Sequence, residues 1–88
     1  MARLINSDSS IVDVFPKNKR KGFTLKELYE IIGCEMVEVV SIPLEGMIMI
    51  VDEEGRLKEN ARFNFAASIV SQNTIFGNAV VCAEKDFK

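Results

Sequence analysis

Four cations fall within five positions: Lys17, Lys19, Arg20 and Lys21. Such a cluster, with Lys26 a few residues on, has the chemistry to contact phosphate oxygens or an acidic protein surface. It lacks the interleaved aromatic residues on which single-stranded bases stack. Phe15 and Phe23 flank it, but the second is also a helix-entry residue. The simplest expectation is a solvated loop, with partner contact through Lys17, Lys19, Arg20, Lys21 and Lys26 as the functional alternative. Asp52, Asn64 and Asn78 form a second group, whose carboxylate and amides suit a polar ligand site. Asn64 is equally placed to cap a helix, and Asn78 sits beside a turn glycine. Adjacent Asp52, Glu53 and Glu54 splay apart on a tight turn, and they lack the alternating oxygen ligands of a calcium loop.

Histidine is absent. That removes the commonest acid–base group at neutral pH and the usual partner of a serine or cysteine nucleophile. Cys34 and Cys82 are too few for a four-thiolate zinc site, and they are expected to be free, buried thiols. The glycines are isolated, so no phosphate-cradling loop is present. These features point to a protein that is not an enzyme and needs no cofactor.

The elements that hold these residues follow from the apolar pattern. Eighty-eight residues, 48% hydrophobic and 27% charged, suit one globular domain spanning 1–88. The net charge of −2 is uneven: residues 1–33 carry six basic and four acidic groups, and 34–88 carry five and nine. No secretory hydrophobic region or membrane-length apolar run is visible, so the expected compartment is the cytoplasm, with no membrane contact.

Residues 2–6 and 11–15 read as a hairpin around "DSS", with Pro16 ending the second strand. "GFTLKELYEIIG" at 22–33 is a self-contained helix signal. Thr24 and Glu27 make a capping box, Phe23 and Leu28 a hydrophobic staple, and Gly33 the left-handed stop. "MVEVVSI" and "GMIMIV" read as a second hairpin, the latter strand central because both its faces are apolar. Asp52 and Gly55 turn the chain, Gly55 with positive φ, and "RLK" is expected to form a short edge strand. Asn64 is expected to cap a helix near 65–72, with Ala66, Ala67 and Ser68 allowing close approach to the sheet. Phe63, Phe65 and Phe76 are expected in the core. "NAVVCA" is the last strand, and 84–88 reads as a frayed tail.

The resulting order is β-β-α-β-β-α-β. It implies an α+β fold, a mainly antiparallel sheet with two helices on one face, and a ferredoxin-like core as one arrangement of that order.

The ordered set "FTLKELYEIIG", "VEVVSI", "IMIVDEEGRLK", "NFAAS" and "IFGNAVVC" resembles a family of small proteins of unknown function from bacteria, their phages and mobile elements. The resemblance covers nearly all of residues 2–83. Arg62-Phe63 stands where that family often has Leu-Pro, and Asn78 where an Asp is usual. The resemblance implies a small intracellular accessory protein and brings no activity with it. The leading expectation is a module that binds a protein partner or itself. The alternatives are a nucleic-acid-binding factor using the 17–21 loop, and a small-ligand binder with a pocket between the second helix and the sheet.

Overall fold

A computed structural model describes residues 2–87. Strands β1 (Ala2–Ile5) and β2 (Ile11–Val14) pair as the expected hairpin. Helix α1 (Leu25–Ile32) leads to β3 (Val37–Ser41) and β4 (Met47–Asp52), the second hairpin. Helix α2 (Phe65–Ser71) then leads to β5 (Ala79–Ala83). The sheet runs β2-β1-β5-β4-β3, and every ladder is antiparallel. The last strand in sequence is thus the middle one in space. It pairs with β1 on one side and β4 on the other.

Helix α1 is built as its sequence dictates. The Glu27 N–H donates to the Thr24 hydroxyl at 3.1 Å, and the Thr24 N–H donates back to the Glu27 carboxylate at 3.0 Å. Phe23 and Leu28 are both fully packed in the same cluster, as the staple requires. Gly33 closes the helix at φ 82°, with its N–H on the Tyr29 carbonyl.

The two helices do not share a face. Alternate residues of one strand point to opposite sides. On β4, Ile48 and Ile50 pack with Phe23, Leu28 and Ile32 of the α1 layer. Met49 and Val51 pack with Ala67 and Ile75 of the α2 layer. On β5, Val80 and Cys82 face α1 while Ala79 and Val81 face α2. The sheet is the middle of three layers. The expectation of both helices on one face is therefore corrected, and the ferredoxin-like arrangement goes with it. A strand apolar on both sides needs cover on both sides. Helix α1 supplies it on one face as the chain travels from β2 at one edge to β3 at the other. Helix α2 supplies the other over the β4–β5 connection.

Three local expectations also change. "RLK" adds no strand; Gly55–Leu57 form a 3₁₀ turn instead. Arg56 is drawn back, its guanidinium donating to the Thr74 carbonyl at 3.2 Å. Gly55 is not at positive φ. It is needed for space, because a Cβ there would lie 2.6 Å from the Phe76 carbonyl oxygen. The segment expected to fray forms a 3₁₀ turn at Glu84–Asp86. Its Asp86 carbonyl accepts from the Phe23 N–H at 2.8 Å, and Phe87 packs against the α1 core. The rest of that expectation, Lys88, lies outside the described residues.

Gly55→Ala should lower stability by about 1–3 kcal/mol, because the obstructing atom is backbone and cannot rotate away. Chemical denaturation of both proteins measures this, and an unchanged midpoint would contradict the packing described.

Candidate functional site

The basic loop between β2 and α1 is held by side-chain oxygens that accept from its backbone N–H groups. The Asn18 side-chain oxygen accepts from the Arg20 and Lys21 N–H groups at 3.0 and 3.2 Å. The Lys17 N–H donates to the second Glu27 carboxylate oxygen at 2.8 Å. One carboxylate therefore caps α1 and anchors the loop. Those hydrogen bonds, from Lys17 first and Thr24 next, hold the Glu27 carboxyl below its ordinary range. Lys17, Lys19, Arg20, Lys21 and Lys26 are all exposed, and none is in an ion pair among the described residues. Of the flanking aromatics, Phe15 is exposed and Phe23 is buried.

Asp52, Asn64 and Asn78 have separate duties. Asp52, its side chain only 7% exposed, meets the Lys58 ammonium at 2.5 Å. It also accepts from the Glu54 N–H at 2.9 Å, which shapes the turn as expected. The Asp52 hydrogen bond pushes the Lys58 ammonium above its usual range. Asn64 is fully buried. Its amide oxygen caps α2 by accepting from the Ala67 N–H at 3.0 Å. Its amide nitrogen donates to the Ile5 carbonyl at 3.0 Å and the Gly77 carbonyl at 2.8 Å. Asn64 thus ties the end of β1, the start of α2 and the approach to β5 together. Asn78 accepts from the Ser7 N–H at 2.9 Å and reaches the Ile32 carbonyl at 3.5 Å. It works through both ends of a neutral amide, a job that needs no charge.

The three do not converge on one cavity. Asp52 and Asn78 line an open cleft of about 310 Å³ with Ser7, Gly33, Lys58 and Arg62. Asn64 does not line it, and its amide atoms are already engaged. Nothing in the sequence spacing of Ser7, Lys58 and Arg62 links them to one another as a site. A larger groove of about 710 Å³ runs along the β3 edge past Glu38, Ser41, Glu53, Arg56, Thr74 and Phe76. Among the described residues, no group of three or more metal-ligating side chains gathers, and no helix is long and apolar enough to cross a membrane.

The largest departure from expectation is aromatic. Phe63 and Phe65 are not core; they are 49% and 61% exposed, and Ile69 is 60% exposed. Phe63 meets Phe65 edge-on at 6.5 Å and Phe76 at 5.9 Å, so the three rings form one row. Arg56 lies over the Phe76 ring at 5.7 Å. The cause is helical geometry. Ala66, Ala67 and Val70 pack onto the sheet, and Phe65 and Ile69, four residues apart, fall on another side. The signal was present in the small residues: a helix that approaches a sheet through alanine has no inward room for its phenylalanine.

Cys34 and Cys82 are free and buried, as expected. Burial, with Asp86 next, pushes the Cys82 thiol up to about 11 from an ordinary 9.0. Burial, with Asp52 next, raises Cys34 as well.

Residues 5–88 match the family described as Domain of unknown function (DUF3846). No curated protein and no solved structure matches the chain.

Two outcomes follow. Asn64→Ala should cost about 2–4 kcal/mol, combining the lost cap with two stranded carbonyls. Asn64→Asp should not restore it, because a carboxylate caps but cannot donate. Denaturation midpoints decide, and a fully stable Asp variant would disprove the donor role. For the thiols, a folded pKa above the unfolded value means the native state holds the proton more tightly. For Cys82 the stabilising contribution is complete below pH 9.0 and fades as pH rises through about 11. A thiol-reactive chromophore should leave Cys82 unlabelled in native protein at pH 8 and label it on unfolding; rapid native labelling would contradict its burial.

Proposed function

We propose that this chain, which belongs to the DUF3846 family, is a non-enzymatic docking module whose partner is a protein. One observation carries the proposal: phenylalanine and isoleucine side chains that a stable core would take in are left on the surface of α2. Exposed apolar patches of a few hundred Å² are where soluble proteins meet partners. Aromatic residues are the usual anchors of such contacts. Asp52, Asn64 and Asn78 are meanwhile committed to a turn, a cap and cross-links. The family resemblance supports an accessory role in bacteria, carried by phages or other mobile elements.

The second proposal is nucleic-acid contact through Lys17, Lys19, Arg20 and Lys21. It is favoured by the exposure of all four cations on a loop already fixed by Asn18 and Glu27. The small-ligand alternative retains the cleft beside Asp52 and Asn78 but loses Asn64, which is turned away.

A photo-crosslinking amino acid placed at position 65, and separately at position 19, tests this in the native host. Protein adducts from position 65 are expected, with few from position 19. Nucleic-acid adducts from position 19, lost steeply with added salt, would replace the first proposal with the second. Silence at both positions would remove both.

A further inference from the structure

The largest groove borders an open strand edge. Strand β3 is the last in the sheet order and pairs with β4 alone. Among the described residues, Val37–Ser41 makes no backbone hydrogen bond outside that ladder, so its outer row of N–H and C=O groups is open. The groove takes Glu38 and Val40 from β3 and residues 73–76 from the segment after α2. Glu38 and Val40 lie opposite Val51 and Met49 in the ladder, on the α2 side of the sheet. Charge along this edge has one sign. Residues 34–54, which hold the whole β3–β4 hairpin, carry Glu35, Glu38, Glu45, Asp52, Glu53 and Glu54 and no basic side chain. Glu38 and Glu53 are exposed in the groove, and neither is in an ion pair among the described residues. Among those residues Arg56 is the one cation lining it, and its guanidinium is already engaged by the Thr74 carbonyl and the Phe76 ring.

We infer that this edge takes a cationic, extended segment of a protein partner, added alongside β3 as a further strand of the sheet. In such an addition the backbone hydrogen bonds supply affinity and alternate side chains supply selectivity. The side chains that an added strand turns toward the groove lie two positions apart. One meets Glu38 and is basic; the next meets Val40 and is apolar. The side chain between them falls on the other face beside the exposed Val39, and it is apolar too. The same carboxylates repel an acidic segment and a phosphate backbone. This surface is distinct from the exposed rings of α2, so a partner at one does not require a partner at the other.

The probe is a short fluorescent peptide of alternating lysine and valine, read by anisotropy against the full chain. It should bind, and its glutamate–valine counterpart should not. Methylating alternate backbone nitrogens of the lysine peptide, in each register in turn, keeps its charge but removes its donors. In one register this should weaken binding by about tenfold or more. Glu38→Lys with Glu53→Lys should also weaken it by about tenfold or more. Glu30→Lys with Glu59→Lys, the same change of net charge placed elsewhere, should leave it nearly unchanged. All four positions are exposed, so the fold should survive, which circular dichroism checks. Hydrogen exchange should slow at amides within 37–41 when the lysine peptide is bound. Absence of binding would overturn the inference, as would equal binding of both methylated peptides or equal loss in the two double variants. Protection confined to other segments would overturn it too. Self-association that protects 37–41 without any peptide would assign the edge to a second copy, and the cationic partner would fall.

Discussion

The constraint on which the structure depends is the two-sided apolar character of β4 and β5. Ile48 and Ile50 face one way; Met49 and Val51 face the other. A sheet with such strands at its centre is unstable with either face wet, at about 25 cal/mol for each Å² of apolar surface left in water. The chain meets this with one short helix on each side. The placement of the connections follows. Residues 15–36 carry the chain over one face, from the β2 edge to the β3 edge. Residues 53–78 return over the opposite face. Neither helix is long enough to be stable alone, so each owes its existence to the strand residues beneath it.

How much of this was legible depended on whether a feature is local. The capping box of Thr24 and Glu27, the staple of Phe23 with Leu28, and the stop at Gly33 lie within a few residues of each other, and all were readable. So were both hairpins and the Asn64 cap. Which face a helix covers is a long-range fact. It is nonetheless implied by "MIMIV", because a strand apolar on both sides needs a lid on both. The spatial need for Gly55 was not legible because the group it must clear, the Phe76 carbonyl, is distant in sequence. The packing of Phe87 was missed for the same reason, its partner Phe23 lying more than sixty residues away.

The candidate residues divide along the same line. Asp52, Asn64 and Asn78 stood out because polar groups in apolar surroundings invite a functional explanation. In the fold they are fasteners. Asn64 binds the backbone carbonyls of Ile5 and Gly77, and Asn78 secures the β1–β2 turn. Phe63 and Phe65 drew less attention, since aromatic residues in a small domain ordinarily fill its centre. The chemistry-bearing types turned out to hold the architecture, while the architecture-bearing types were left facing solvent.

The central position of β5 carries a consequence for how the molecule is made. Arg3 pairs with Val81, so the first strand and the last are direct neighbours. During synthesis, β1 and β4 emerge with their inner edges open, and the strand that joins them, residues 79–83, comes only after both hairpins. Up to that moment the growing polypeptide is two separate hairpins, each presenting a bare row of amides and an uncovered apolar side. Closure of the sheet is thereby deferred until residues 79–83 are available to pair, and it proceeds at the pace of distant strand pairing rather than of local helix formation.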